Sequence, residues 1–477
     1  MKFGKKVFTP TGNVQDEGGV EQKEPKRYEM CYADADTFVV RCAKMMQEDY
    51  VEVRHKASGR TMEFRNLTSF GVRSEKIIAL TEEDIESNKR TEKKEIMGKT
   101  IQEPYKWLAW KNYDQKAKGA KEFEIGDFEL FGKARLNAEF PTFEKALETA
   151  EMVFASNIKG IKTNMDSEDY TLLISSGNGN YRDDESKTIG YKSKRGEKPI
   201  YFAEFKDKVS DTYKNKVWWT DGNEAEDYLQ HIAKQQEALY GEDRTKWTAC
   251  GTWVDKDCNQ IYLTHKNYDK YDEGWIEYDK LYCEKTLVAQ TISGDPTDTI
   301  EGLPTLTESV TTAFKYLGLR KAKGVSKATA EKLLGDCTTV QEMWKRAIFC
   351  YQQYYGFDKV YQFKDVHGEN QEWTWIDYMQ QCYVLVKMQE YQGQIPCVRK
   401  YLNQIGVDIS KEVKYGEVEL DTENLVKNLE ICKNTLGEIT KELKSYKSLS
   451  KPLLVAKVDE VKKLTEELTG NMSLLEK

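Results

Sequence analysis

The sequence predicts an α/β protein whose parallel sheet is flanked by helices, and three observations lead there. Short apolar runs at Tyr28–Ala33, Tyr170–Ser175 and Trp247–Val254 alternate with longer stretches whose apolar residues recur at helical spacing. The run Tyr170-Thr-Leu-Leu-Ile-Ser175 has the continuous apolar character of a strand buried on both faces. Acidic turns, Asp34-Ala-Asp36 and Asp255-Lys-Asp257, stand just beyond two of these runs, where open parallel sheets gather their ligands.

Taken in chain order, residues 1–27 are polar and charged and predict a flexible tail. Residues 28–300 predict the sheet-bearing core. Within it, Phe38, Val39, Cys42, Met45 and Met46 form one helical face, and VEVRHKASGRTMEFRN alternates about Ser58-Gly59 as a hairpin does. The stretch from about 47 to 140, rich in Glu and Lys with isolated aromatics (Tyr105, Trp107, Trp110), is expected as an insertion in that core. A helix is expected over 142–157. A polar, basic loop or arch is expected over about 176–216. Asn223 is placed to cap a helix from Glu224 to about Ala238. A strand near 274–282 and a helix near 284–292 follow. A helical region is expected over about 301–410. From 411 to 477, Leu425, Leu429, Cys432, Leu436, Ile439, Leu443 and Tyr446 step by four and three, then break at Pro452, as in a coiled-coil hairpin. That hairpin reads first as an intramolecular pair, with a dimer or partner contact as the alternative.

At 477 residues the chain has room for roughly three domains. Its 72 Lys and Arg against 80 Asp and Glu leave a formal charge of -8, which excludes a uniformly basic nucleic-acid coat. No apolar run reaches the ~18 residues of a membrane span, and the first residues lack a secretory signal, so cytoplasm and no membrane partner are expected. The ten cysteines include no C-x-x-C pair, and only four histidines are available to join them, which argues against structural zinc or disulfides. Any metal must then rest on carboxylates. An ATP-driven enzyme is disfavoured, because Gly98-Lys-Thr100 lacks the preceding glycine of a phosphate loop.

Acidic residues at strand ends and helix starts form the strongest chemical signal: Asp34 and Asp36; Glu224, Glu226 and Asp227; Asp255 and Asp257; Asp295 and Asp298. Any one pair alone reads as a solvated turn. Several pairs gathered together raise one another's cost of ionisation, a cost that divalent cations remove. Gly222-Asn-Glu224-Ala-Glu226-Asp227, Val254-Asp255-Lys256-Asp257 and Gly294-Asp295-Pro-Thr-Asp298-Thr-Ile-Glu-Gly302 resemble, in this order, three motifs of the 5′-to-3′ exonuclease and flap endonuclease family. The likeness is nearest to phage-encoded members. It covers roughly residues 28–40 and 140–390 and implies a PIN-like core with a helix-three-turn-helix DNA-binding region.

Position by position, the resemblance implies metal ligation by Asp34, Glu224, Glu226, Asp227, Asp255, Asp257, Asp295 and Asp298, holding two Mg²⁺ or Mn²⁺ ions; Asp36 matches a position acidic in some members. Arg182, Tyr191, Lys192 and Arg195 lie where the family has an N-[FYW]-R element followed by Y-K-x-x-R facing the scissile phosphate, although a solvated loop would also carry such basics. Gly324-Val-Ser326-Lys327 resembles the DNA-holding hairpin, flanked by Arg320, Lys321 and Lys323, with a monovalent cation near Gly324 implied. A plain helical packing unit would explain it as well. Four departures stand out: Ser175-Ser176-Gly177 replaces an Asp after a strand, Glu226 replaces an Asp, Thr299 replaces an Asn, and about twenty residues separate Gly302 from the hairpin.

The expectation is therefore a metal-dependent nuclease acting on 5′ ends, flaps or nicks of DNA, or on RNA–DNA hybrid, in phage replication or recombination within the host bacterial cytoplasm. A replication-protein partner is expected on the coiled coil. The alternative is a catalytically weakened PIN-like module that binds branched DNA or acts as a scaffold.

Overall fold

The computed structural model describes residues 6–8, 27–96, 99–177 and 179–415. The expected coiled coil falls at 416–477, and most of the expected tail before residue 27, outside these. The described chain forms two compact units. The first takes the chain to residue 177, then Gly196–Asp255 and Leu263–Glu277; the second takes Gly179–Arg195, Lys256–Tyr262 and the chain from Tyr278.

The first unit is built on a seven-stranded sheet in the order Lys6–Phe8, Trp275–Glu277, His265–Asn267, Ala249–Trp253, Tyr28–Asp34, Ser167–Ser175, Val217–Thr220. The five strands from His265–Asn267 to Val217–Thr220 run parallel; the first two join antiparallel. Tyr28–Asp34 sits between two parallel neighbours, so Cys31 and Ala33 are fully buried. Chain order runs to opposite sides of this central strand. The crevice beyond its carboxyl end is thus a topological switch point.

Helices Asp36–Met45, Phe143–Asn164 and Phe202–Thr212 share one core with the sheet. Phe154 is its centre, edge-on to Phe38 at 6.3 Å and to Phe205 at 5.9 Å. The helix expected to stop at 157 continues to Asn164, because Ile158 and Ile161 extend the buried stripe of Ala146, Ala150 and Phe154. Helix Ala225–Tyr240 packs on strands Tyr28–Asp34, Ser167–Ser175 and Ala249–Trp253, and its Leu229 and Ile232 are buried.

The insertion is a small structure of its own. Gln47–His55 pairs antiparallel with Phe128–Leu136 along nine residues, from Gln47↔Leu136 to His55↔Phe128, and Thr61–Phe64 adds to it as the expected hairpin. Between them Val53, Phe64, Phe70, Leu108 and Phe128 make a separate core. The isolated aromatics close this structure. Trp110 donates its indole N–H to Lys89 O at 2.8 Å, and Lys106 forms a buried ion pair with Asp84 at 2.6 Å.

The second unit is mostly helical. Lys280–Ser293, Glu308–Ala313, Lys327–Leu333, Val340–Tyr355, Trp375–Val386 and Val398–Gln404 enclose Leu287, Met343, Trp344, Ile348, Met379 and Leu402. One part of the stretch expected to be helical is not. Tyr361–Lys364 and Asn370–Trp373 form a β-hairpin whose turn is held by Asp365, its carboxylate accepting from the His367 and Glu369 N–H groups. A two-residue ladder, Gly294–Asp295 with Ile300–Glu301, brings the backbones at Gly294 and Gly302 so close that a Cβ on either would overlap the other chain segment.

Gly302→Ala is therefore expected to lower unfolding stability by about 2–4 kcal/mol in urea titrations, whereas Gly126→Ala, with open space around it, should change it by under about 0.5 kcal/mol. Equal midpoints for the two variants would contradict the close-approach account.

Candidate metal centre at the carboxyl rim of the sheet

Four of the parallel strands of the first unit each lead into one side chain at the rim. Asp34 is the last residue of the central strand and is 4% exposed. The chain turns at once into helix Asp36–Met45, and the Asp36 N–H donates to Asp34 Oδ1 at 3.1 Å. Ser175 ends the neighbouring strand. Both its N–H, at 2.9 Å, and its hydroxyl donate to the Asp36 carboxylate. Glu224 follows strand Val217–Thr220 and is the N-cap residue of helix Ala225–Tyr240; Asp255 follows strand Ala249–Trp253.

The electrostatics tie these groups together. Burial pushes the Asp34 carboxyl well above the usual carboxylate range, and the charges of Asp36, Asp255 and Glu224 push it further, against the Asp36 N–H bond. Asp36 is raised chiefly by burial, with Glu224 adding to it; the two Ser175 hydrogen bonds and the Lys206 charge oppose it. Lys206, from helix Phe202–Thr212, donates to Ser175 O at 2.7 Å and Ser176 O at 2.6 Å, and its ammonium lies 4.6 Å from the Trp219 ring centroid. Burial lowers its pKa, and the nearby Asp36 charge works against that.

Asp34, Asp36, Glu224 and Asp255 thus form one group of mutually repelling hard oxygen donors at the switch point. That chemistry fits Mg²⁺ or Mn²⁺. Among the described residues no three His, Cys, Asp or Glu side chains are drawn to a common point as they stand. The donor set suits the ion; the ligand shell is not preassembled.

The other expected ligands lie apart from this group or have further duties. Glu226 is on the first turn of helix Ala225–Tyr240. Asp227 is fully buried, and its Oδ2 accepts from the Glu224 N–H at 3.0 Å, so it caps the helix that carries Glu224. In the second unit, Asp257 Oδ1 accepts from Gln290 Nε2 at 2.5 Å and stands 3.5 Å from Lys327 Nζ. Asp295 Oδ1 accepts from the Thr297 N–H at 2.8 Å within the Gly294–Gly302 turn. Asp298 carries an anchored cluster of donors. The Tyr191 hydroxyl donates to its Oδ2 at 3.1 Å, Lys192 Nζ lies 3.4 Å from the same oxygen, and Arg195 pairs with Oδ1.

Arg182, expected to face phosphate, is instead 3% exposed, and its guanidinium donates to Leu385 O at 3.0 Å and Lys387 O at 3.3 Å. A short helix, Tyr181–Glu185, carries it into the core of the second unit, where it ties the expected arch to helix Trp375–Val386. In the expected DNA hairpin, Gly324 has a φ of +80° and donates its N–H to Pro304 O at 2.5 Å. Ser326 caps helix Lys327–Leu333, its hydroxyl accepting from the Thr329 N–H at 3.2 Å. Lys321 and Lys323 are exposed, and Lys327 is half-buried beside Asp257.

Lys206 is the rim residue that sequence reasoning missed. Its one sequence signal is a lysine beside the apolar face of Phe205 and Val209, a pattern common to many solvated lysines.

If the rim stores repulsion, Asp34→Asn, which keeps the acceptor for the Asp36 N–H, should raise the melting temperature of metal-free protein by a few degrees at pH 8. Because the folded-state pKa of Asp34 is raised, its destabilisation is absent below the ordinary carboxylate range and grows as pH rises through the folded value, so the gain should vanish near pH 4. A variant less stable than wild type at pH 8 would contradict the account.

A scan against protein-family models finds no family that matches this chain, and a search of curated proteins finds no relative.

Proposed function

We propose that the protein is a divalent-metal-dependent nuclease of the 5′-to-3′ exonuclease and flap endonuclease type. Its first unit would be a PIN-like core, and its Gly324 hairpin a helix-three-turn-helix element. The single observation that carries the reading is the meeting of Asp34, Asp36, Glu224 and Asp255 at the carboxyl rim of the parallel sheet. The motif order in the sequence supports it.

Asp34, Glu224 and Asp255 would hold Mg²⁺ or Mn²⁺, with Asp36 beside them. Bound there, such an ion supplies an acidified water and neutralises charge on a phosphodiester. The chain's own groups prepare the site. Asp36 is fixed by Ser175, so its carboxyl group is held at the rim rather than swinging into solvent. Lys206 is held beside Ser175-Ser176, where the family has an Asp, and its ammonium would meet the developing charge on phosphate oxygens. In the second unit, Asp298 gathers Tyr191, Lys192 and Arg195 into one donor cluster suited to a backbone phosphate. Lys321, Lys323 and the hairpin at Gly324 and Ser326 would contact duplex phosphates.

One observation favours a second reading, a branched-DNA binder of weakened activity: Ser175-Ser176 stands where a ligand is expected, and Lys206 is bonded to both carbonyls. The two are separated by turnover. With Mn²⁺, labelled 5′-flap or nicked DNA should be cut. Asp255→Asn should lower the rate at least ~10³-fold with flap affinity within about threefold, and Lys206→Met should lower it ~10–100-fold. Binding without cleavage of flap, nick, single strand and RNA–DNA hybrid in both Mg²⁺ and Mn²⁺ would establish the second reading.

A further inference from the structure

The second unit holds a cleft of about 560 Å³ whose lining has more chemistry than a packing defect needs. Its floor is buried and largely apolar, with Ile300, Leu303, Val325 and Tyr351, and its aromatic wall continues through Tyr355 and Tyr378, whose rings stack at 4.0 Å. Lys194, Glu301 and Lys323 are exposed at its rim.

Gln381 is the telling residue. It is 7% exposed, and its Oε1 accepts from the Lys187 N–H at 2.8 Å, which fixes the orientation of the amide. Gln381 lines the cleft, and its Nε2 is buried and, among the described residues, without a hydrogen-bond partner. A buried donor left unpaired is costly, so one carried by a residue of a cleft lining is a group whose acceptor a ligand can supply. Thr299, also in the lining, adopts a φ of +62°, unusual for a β-branched residue, and its hydroxyl accepts from the Lys194 N–H at 3.2 Å.

We propose that this cleft binds one nucleotide. The base lies against the tyrosines, and a ring nitrogen or carbonyl oxygen on its edge accepts from Gln381 Nε2. The phosphate meets the ammonium groups of Lys194 and Lys323, and Glu301 accepts from an exocyclic amine or a sugar hydroxyl. A flat aromatic ligand with an edge acceptor and an anionic group satisfies all of these at once. A purely apolar ligand leaves Gln381 unpaired, and inorganic phosphate leaves the aromatic wall bare. The same chemistry is offered by a free mononucleotide and by one unit of a strand turned out of its stack. The inference shares Lys323 and the Gly324 hairpin with the proposed duplex contacts but does not depend on the hydrolytic rim.

The test titrates the full chain with 2-aminopurine deoxynucleoside monophosphate and, separately, with a short single strand carrying 2-aminopurine, reading fluorescence quenching. Saturable quenching is expected. Gln381→Met, which keeps side-chain length and removes the donor, should weaken it about tenfold, and Lys323→Ala about three- to tenfold. Sensitivity to Gln381→Met with the mononucleotide assigns a free nucleotide as ligand; sensitivity with the strand alone assigns a nucleotide within a strand. Matching melting temperatures show that the variants fold, and Asp255→Asn should bind as wild type does, so this result and the nuclease assay can fail separately. No saturable quenching by either ligand, quenching unchanged in both cleft variants, or full displacement by inorganic phosphate would overturn the proposal.

Discussion

Charge repulsion at the end of a parallel sheet is the constraint on which the functional part of this protein depends. Parallel pairing aligns the carboxyl ends of Tyr28–Asp34, Ser167–Ser175 and Ala249–Trp253 along one rim, so whatever follows those strands is forced into company. Here two strand ends supply Asp34 and Asp255, and two helix starts supply Asp36 and Glu224. A sheet selected for stability alone would put neutral turn residues at these positions, because burial of Asp34 among other carboxylates lowers the stability of the fold. The rim is tolerated because the rest of the sheet is rigid. Asp34 is anchored by a central strand buried on both sides, and Asp36 is tied to the next strand through Ser175.

The elements around the rim make sense as consequences. Asp227 is buried to keep the start of helix Ala225–Tyr240 closed, which fixes where Glu224 can stand. Lys206 is received by the Ser175 and Ser176 carbonyls, so positive charge enters beside the group without displacing a carboxylate. In the second unit the acidic turn Gly294–Gly302 obeys a different rule. Its glycines are demanded by backbone proximity, and Asp298 serves as a mooring for Tyr191, Lys192 and Arg195. The same motif therefore contains residues kept for shape and residues kept for charge.

How much of this was legible in the sequence depends on the range of the interactions concerned. Alternation and helical spacing are local signals, and they locate Tyr28–Asp34, the hairpin near Ser58-Gly59 and the helix after Glu224 to within a few residues. The acidic rim was legible because a strand end is a local feature with a long-range consequence. Arg182 was misread because its burial depends on Leu385 and Lys387, some two hundred positions away, which no local pattern reports. The hairpin Tyr361–Trp373 lay hidden in a helical expectation because its two strands are only four residues each, too short for alternation to stand out between long helical stretches. Lys206 carried no mark at all, since a lysine bonded to carbonyls and a lysine in water look alike in one dimension.

The nine-residue ladder that closes the insertion has a consequence for how the chain came to contain it. Met46 O accepts from the Asn137 N–H at 2.9 Å, so the points where the excursion leaves and rejoins its host are neighbours. A segment with touching ends and a core of its own can be gained or lost in a single genetic event without rerouting any host strand. The base of the excursion is what the host holds: Gln47 Oε1 accepts from the Ile200 N–H at 2.7 Å, and Leu136 packs against the host core.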